Sequence, residues 1–351
     1  MSNNRILKQS GVTVVELMVA LVLSLILMAG VLQVYFGSKT TYRITEGLSR
    51  LQENTRASAE MLAKEIRMAG YVPCSQPQNA ASIVDSSEWW ADFFDTPIRG
   101  YEGDTSTASF PVSDAVIGSD AIMILRGGSK VAGVKLYDQA NRQFVLQRDV
   151  DTNWVEDGSL MIACDSTSAR LFQAENIGTN TISVADDNAD PGNNGTINRV
   201  FGYDSQISNY SAVIYYIKAS PSGNGNSLYR SYLNINNDGE AAPLVEELAE
   251  GIESMQLLYG YDGDDDGNAD QYINADNPIF NSMVNWQNVA TVKIGLLYAS
   301  DDGIREGNST DNNVYVVANT PIGVGTSTTV THPQDQRKRY VASMTVSLRN
   351  L

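Results

Sequence analysis

Five oxygen-bearing side chains lie close together in the carboxyl-terminal half of the chain, at Asp262, Asp264, Asp266, Asn268 and Asp270. Among these five residues, the acids occupy the first, third, fifth and ninth positions of the segment, and a glycine occupies the sixth. Hard oxygen ligands at this spacing, with a glycine that permits a sharp turn, are what a calcium-binding loop requires. The twelfth position, which normally carries glutamate, is an isoleucine, and Asp276 is a candidate replacement. The pattern predicts a calcium site, and a solvated acidic hairpin tip is the alternative.

A single acid interrupts a long apolar segment near the start of the chain. Glu16 is the one charged residue between residues 12 and 36, and Gly11 immediately precedes this segment. The segment exceeds the about 20 residues needed to cross a bilayer, and Arg5 and Lys8 before it place that end in the cytoplasm. A carboxylate inside a membrane costs free energy. We therefore predict a membrane anchor, a peptidase site at the small residue Gly11, and a partner for Glu16.

The two cysteines, Cys74 and Cys164, both follow the anchor. They lie on the side that we predict to face an oxidising compartment, which favours a structural disulfide over two separately buried thiols. Closing a loop of this length contributes about 4–5 kcal/mol in the chain-entropy model.

Composition and motifs argue against nucleic-acid binding and catalysis. The 351-residue chain has a net charge of −17, which repels nucleic-acid phosphates and suits divalent cations or basic partner surfaces. It contains no nucleophile elbow, P-loop or zinc-protease motif. The sole histidine, His332, is predicted to lie on the surface. We expect no enzyme, and a membrane-anchored periplasmic enzyme or carbohydrate-binding domain is the alternative of another class.

The tryptophans are expected to pack in the core or at an interface rather than to stack on a ligand. They are Trp89, Trp90, Trp154 and Trp286. Segment 86–94 is the densest aromatic cluster outside the anchor, and it would suit a partner interface if it were exposed.

The periodicity predicts one long helix followed by β structure. Apolar residues three or four apart extend the anchor helix over residues 37–70, where Gly70 and Pro73 end it. Short apolar runs between turn residues then predict antiparallel strands. These are 121–126, 131–137, 143–148, 160–163, 170–173 and 181–184, followed by 212–218, 228–233, 252–261, 289–299, 314–318 and 340–348. A short helix is considered for 246–250. The polar loop 186–195 separates a first β-rich region, 71–195, from a second, 196–351.

The first residues resemble the signal of type IV prepilins and pseudopilins, in which a glycine precedes a hydrophobic residue and a glutamate follows five positions after the glycine. Gly11, Val12, Thr13 and Glu16 carry this resemblance, although Val12 stands where the family usually has phenylalanine. It implies a leader peptide of residues 1–11, cleavage between Gly11 and Val12, and N-methylation of Val12. Glu16 would pair with the terminal amine of a neighbouring subunit.

Landmarks along the rest of the chain are similar to those of PilW-type minor pilins. They are Gly70-Tyr71 before Cys74, the segment 163–165, the segments 244–246 and 251–256, Trp286 with Val289, and the ending 346–350. The resemblance implies an α+β, pilin-like fold. A long transmembrane and amphipathic helix would pack on an antiparallel sheet, beside an additional β-rich region.

The same resemblance implies a function. The subunit would prime assembly of a type IV pilus and sit at or near its tip, with twitching motility, adhesion and DNA uptake downstream. Implied partners are other minor pilins, the major pilin, a tip adhesin, the prepilin peptidase and the inner-membrane assembly platform. The protein would begin in the inner membrane with a periplasmic domain and end in the extracellular pilus. A minor pseudopilin of a type II secretion system is the alternative.

Overall fold

The computed structural model describes residues 11–74, 79–85, 87–104, 106–149, 155–223, 225–235, 241–303, 309–324 and 330–349. The chain divides into two compact units, Met1–Arg50 and Leu51–Leu351.

The first unit consists, where described, of the start of a long helix. This helix, α1, spans Val14–Arg67 and runs without interruption through Gly37 and Gly47. Every side chain from residue 12 to 36 is exposed. Of the described residues, only this helix is long and apolar enough to cross a membrane.

In the second unit, α1 buries one face against strands. Leu62 and Ile66 are fully buried, and the Ser58 hydroxyl lies 2.7 Å from the Tyr298 hydroxyl. The helix stops where the sequence predicts, because Gly70 adopts a φ of 71°, which favours glycine. The Gly70 N–H then donates to the Leu125 carbonyl at 3.0 Å.

The strands follow α1 in chain order. They are β1 (Asn79–Ser82), β2 (Ile98–Tyr101), β3 (Ala121–Asp138), β4 (Gln143–Leu146), β5 (Leu160–Cys164), β6 (Ser168–Glu175), β7 (Thr181–Val184), β8 (Gln206–Ala219), β9 (Asn226–Ile235), β10 (Ala241–Glu250), β11 (Ile252–Tyr261), β12 (Gln271–Ile273), β13 (Val289–Gly303), β14 (Tyr315–Val317), β15 (Thr320–Gly323), β16 (Val330–Thr331) and β17 (Arg337–Ser347). Two 3-10 helices, Pro278–Asn281 and Met283–Asn288, precede β13.

Strands β1 to β10 belong to one ten-stranded sheet. Strand β8 pairs with both β3 and β5, so the pairings of β3, β4, β7, β6, β5 and β8 close into a ring. Buried apolar side chains, including Phe144, Phe172 and Phe201, pack together among these strands. The predicted division at residue 195 does not coincide with a break between sheets, because β8 to β10 continue the sheet that β2 to β7 begin.

Strands β12, β11, β13 and β17 form a second, antiparallel sheet in that order. Its apolar face packs in one core cluster with Leu62 and Ile66 of α1, and Val292 and Ile294 of β13 are completely buried there. The helix therefore covers one face of the strand that the sequence predicts over 289–299. Strands β14, β15 and β16 form a small third sheet. The α+β fold class is confirmed.

Two local predictions differ from the structure. The predicted strands 121–126 and 131–137 are one strand, β3, with an irregular register between Gly127 and Val131. Residues 246–250, considered as a helix, lie in β10. These residues favour a helix by propensity, but they pair with residues 227–230 of β9, and tertiary context outweighs local propensity.

A disulfide joins Cys74, shortly after α1, to Cys164 at the end of β5. It spans 90 residues of sequence. The predicted pairing is present.

The aromatic and histidine predictions had different outcomes. Trp90 and Trp286 are buried, as predicted for core residues, while Trp154 and residue 86 lie outside the described part of the chain. Phe93 is also buried, so segment 87–94 turns much of its aromatic surface inward. The surface prediction for His332 is wrong. Its Nε2 lies 2.8 Å from the Asn313 carbonyl oxygen, and the side chain is only 5% exposed.

Candidate processing and cation sites

Thr13 and Glu16 cap the start of α1 together. The Thr13 backbone N–H and hydroxyl each donate to Glu16 Oε2 at 3.0 Å, and the Glu16 N–H donates to Thr13 Oγ1 at 3.3 Å. This is a capping box, in which the two residues satisfy each other's backbone donors. The sequence predicts a partner for Glu16, and within one chain that partner is Thr13.

The predicted cleavage position lies just before this cap. Val12 is 74% exposed, and a Cβ added at Gly11 would have no heavy atom within 4 Å. The peptide bond between Gly11 and Val12 is therefore accessible on an isolated chain. Residues 1–10 of the predicted leader lie outside the described residues.

The acidic loop follows β11 and is organised by Asp262. Its Oδ1 accepts the N–H of Asp265 at 2.7 Å, and its Oδ2 accepts the N–H of Gly267 at 2.7 Å. Burial opposes ionisation of Asp262, but these backbone donors, together with those of Asp264 and Asp266, lower its pKa below the ordinary value. Asp262 thus holds the turn in place.

Three of the five predicted calcium ligands come together in this loop. One carboxylate oxygen from each of Asp262, Asp264 and Asp270 lies within 4.8 Å of the others. Asp266 Oδ1 instead accepts the N–H of Asn268 at 2.8 Å. The charges of Asp266 and then Asp270 raise the pKa of Asp264.

The carboxylate oxygens of this loop are the kind of ligand that calcium binds, but three of them are fewer than calcium needs. Calcium takes about 6–8 oxygen ligands, so water or backbone carbonyls would have to complete the shell around three carboxylates. The hydrogen bonds that Asp262 accepts from the loop backbone would equally explain a hairpin tip without a metal. The calcium site in this loop stays a prediction.

A second carboxylate cluster was not predicted from the sequence. Glu102, Asp104 and Asp120 each place one oxygen within 4.8 Å of the others. Burial, followed by the charges of Asp104 and Asp276, raises the pKa of Glu102 to about 7. Burial and then the charge of Glu102 raise the pKa of Asp120.

The register of two strands explains why this cluster forms. Strand β2 pairs with β3 so that Tyr101 lies opposite Ala121. The next residues outward, Glu102 and Asp120, are therefore brought side by side, although they are distant in sequence. The only local signal is the pair of acids on either side of Gly103, which is too common a pattern to indicate a site.

Two family models match the chain. Residues 214–350 match the model of the type IV pilus-assembly protein W, and residues 6–32 match the prokaryotic N-terminal methylation motif. No curated protein and no solved structure gives a match. The first matched region begins within β8 and extends through β17, and the second contains the predicted cleavage position and Glu16.

These matches confirm the resemblance that the sequence shows at both ends. The methylation motif lies at the start of α1, whose apolar side chains are exposed over a length that can cross a membrane. Residues 214–350, called the W domain below, contain the four-stranded sheet against which the carboxyl-terminal part of α1 packs. The chain therefore carries a region that matches the type IV pilus-assembly protein W model and an amino-terminal methylation motif, and the two matches together support a type IV pilus-related pilin.

Proposed function

We propose that this chain is a minor pilin that primes assembly of a type IV pilus and remains at or near its tip. The observation that carries the proposal is the presence, on one chain, of the methylation motif at 6–32 and the W domain at 214–350. Twitching motility, adhesion and DNA uptake would follow from pilus assembly. The role is structural, with no catalytic step.

Processing and helix packing provide the mechanism. A prepilin peptidase would cut between Gly11 and Val12 and methylate the new Val12 amine. Both Thr13 contacts use Oε2 of Glu16, so Oε1 is the oxygen that would accept the amine of a neighbouring pilin. A buried carboxylate and amine neutralise each other's charge, which lowers the cost of placing either in an apolar helix bundle.

A tip position is supported by the size of the β structure. The W domain covers residues 214–350, and β1 to β7 add a further β region before it. Subunits inside a helical filament are crowded on both sides along its axis. A subunit with additional bulk packs most easily at an end, where it has neighbours on one side only.

The proposed partners follow from this position. They are other minor pilins, the major pilin, a tip adhesin, the prepilin peptidase and the inner-membrane assembly platform. The subunit would wait in the inner membrane with its second unit in the periplasm, and it would reach the outside when the pilus grows.

A complementation experiment tests the function. A strain that lacks the gene is complemented with the wild type, Glu16→Ala or Glu46→Ala, and surface pili and secreted proteins are both quantified. Glu46 is a matched control because it lies on the same helix and makes an exposed ion pair with Arg50 at 2.7 Å.

We expect loss of surface pili in the deletion strain and with Glu16→Ala, and restoration with Glu46→Ala. Protein secretion should be unchanged. A secretion defect with normal piliation would overturn the proposal and favour a type II secretion pseudopilin. Normal piliation with Glu16→Ala would refute the pairing role of this acid.

A further inference from the structure

Asp120 is the fixed member of the Glu102, Asp104 and Asp120 cluster. It is 3% exposed, and its two oxygens accept N–H groups from different parts of the fold. Oδ1 accepts from Gly103 at 3.0 Å and Oδ2 accepts from Leu257 at 2.8 Å. Because each carboxylate oxygen has two lone pairs, both oxygens retain acceptor capacity.

Each of the other two acids has one oxygen without a hydrogen-bond partner among the described residues. Glu102 also interacts with Asp120 and the Ala275 backbone, and Asp104 interacts with Gln256. Glu102 Oε2 and Asp104 Oδ1 are both inaccessible to solvent, and neither accepts a hydrogen bond there. Within the same described part of the chain, no lysine or arginine forms an ion pair with any of the three acids. Buried acceptors of this kind are costly unless something binds them.

A buried hydroxyl provides a second, independent indication. Tyr259 is 1% exposed, and its hydroxyl has no hydrogen-bond partner among the described residues. Its ring occupies the space where a Cβ of Gly100 would lie, two residues before Glu102. Because side chains two residues apart point to the same side of a strand, the hydroxyl lies on the side of β2 that carries Glu102. After burial, the charges of Asp120 and then Glu102 raise the pKa of Tyr259.

We propose that Glu102, Asp104 and Asp120 bind a divalent cation, and that this cation is calcium. The oxygens are hard ligands, which suit calcium and magnesium rather than softer metals. One oxygen of each acid lies within 4.8 Å of the other two, so one cation can contact all three. Calcium accepts irregular sets of carboxylate oxygens, whereas magnesium requires near-ideal octahedral geometry and loses its water reluctantly. A cation-bound water would supply the missing partner of the Tyr259 hydroxyl.

A cleft lies beside Glu102. It has a volume of about 300 Å³ and is lined by Glu102, Asp276 and the aromatic side chains of Tyr101, Phe280 and Trp286, among others. The charge of Asp276 reaches both Glu102 and Asp104, since it is a cause of the raised pKa of each. Asp276 therefore adds attraction for a cation at the mouth of the site.

The site is separate from the acidic loop and does not depend on incorporation into a pilus. Its test therefore uses purified full-length protein in detergent, stripped with chelator, with the loop neutralised by Asp264→Asn and Asp270→Asn. Calcium binding is measured by calorimetry, and the melting temperature is compared in calcium, in magnesium and in chelator. A second protein carries Glu102→Gln and Asp104→Asn in the same loop-neutralised background.

We expect the loop-neutralised protein to bind one calcium ion and to melt at a higher temperature in calcium than in magnesium or chelator. The protein with Glu102→Gln and Asp104→Asn should lose both the binding heat and the shift, while its circular dichroism in chelator matches that of the parent. If the double change prevents folding, Glu102→Gln alone should weaken calcium binding at least tenfold. Absence of calcium binding by the folded, loop-neutralised parent would overturn the proposal, as would unchanged binding after the cluster is neutralised.

Discussion

Arg339 on β17 and Glu253 on β11 are joined by two hydrogen bonds across the intervening strand β13. Arg339 Nε donates to Glu253 Oε2 at 2.6 Å, and Nη2 donates to Oε1 at 3.0 Å. The arginine side chain is completely buried and the glutamate is 5% exposed. Arg339 Nη1 also donates to Asp311 at 3.1 Å and to Asp335 at 2.9 Å. One guanidinium thus organises three carboxylates in the W domain.

Removing this guanidinium should destabilise the second unit strongly. Arg339→Ala removes the buried guanidinium from Glu253 and Asp311, while Arg337 still pairs with Glu253 at 2.6 Å. We expect a loss of about 3–5 kcal/mol in the free energy of unfolding. Arg230→Ala is the matched control, because Arg230 pairs with Glu246 between two strands at 2.7 Å but is exposed, and such pairs contribute about 0–1 kcal/mol. Urea unfolding followed by tryptophan fluorescence measures both. If the two variants lost similar amounts of unfolding free energy, the buried interactions of Arg339 would contribute no more than an exposed ion pair, which would contradict the prediction.

Asp335 should make the free energy of unfolding depend on pH. Burial favours its neutral form, but hydrogen bonds from Arg339 and Arg337 lower its pKa below the ordinary value of 3.8. A carboxyl group whose pKa is lower in the folded state stabilises the protein above its unfolded pKa, and this contribution is lost as the pH falls through the folded pKa. Asp335→Asn should therefore lower the free energy of unfolding at pH 7 and progressively less below about pH 4.

The control for this dependence is the same substitution in an Arg339→Ala background, where the pH-dependent difference should be much smaller. A difference between wild type and Asp335→Asn that is constant from pH 7 down to pH 3 would show that the arginines do not hold the charge of Asp335.

The leader should be removed at Gly11. Because the peptidase requires a small residue at the cleavage position, Gly11→Val should leave the leader attached. Gly30→Val is the control, since a Cβ at Gly30 meets no atom within 4 Å and the change lies in α1, away from the cleavage position. Mass spectrometry of the amino-terminal peptide from membrane-extracted protein should show a methylated Val12 terminus for the wild type and for Gly30→Val. A wild-type terminus at Met1 would refute the processing site.

The acidic loop provides a prediction for metal removal. In a Glu102→Gln and Asp104→Asn background, only the loop should respond to calcium. A ligand that binds only the folded state stabilises it by about 2.7 kcal/mol at a hundred times its dissociation constant, so the protein should melt at a higher temperature in millimolar calcium than in chelator. Adding Asp264→Asn and Asp270→Asn should abolish the difference. Equal melting temperatures before that addition would identify the loop as a hairpin tip without a metal.

The helix and several strands could be predicted from the sequence because their signals are local. The apolar spacing after residue 36 indicated the extension of α1, and the predicted strands 181–184 and 252–261 agree with β7 and β11. Strand β10 was harder because its carboxyl-terminal half is rich in leucine, glutamate and alanine, which favour helices. Its strand conformation depends on β9, and Pro243 is tolerated because β10 is an edge strand.

The parts of the sites that depend on distant contacts could not be predicted. His332 is buried because its ring nitrogen meets Asn313 and its ring packs beside Tyr315, and neither contact has a signature around residue 332. The carboxylate cluster likewise requires the β2–β3 register and a backbone N–H from Leu257. Such sites become visible only when the pairing of strands is known.

The bond between Cys74 and Cys164 determines how a pulling force would travel through the chain. Tension that passes the contacts of α1 and of Gly70 with the strands reaches Cys74, and the disulfide passes it directly to β5. The backbone between the two cysteines then carries little of the force, so β1 and β2 are not the first strands on which the force acts. Strand β5 is hydrogen-bonded on both sides, to β6 and to β8, and resists extraction better than β1, which pairs with β6 along four residues. With the disulfide reduced, the force that passes those contacts would instead peel β1 from the sheet.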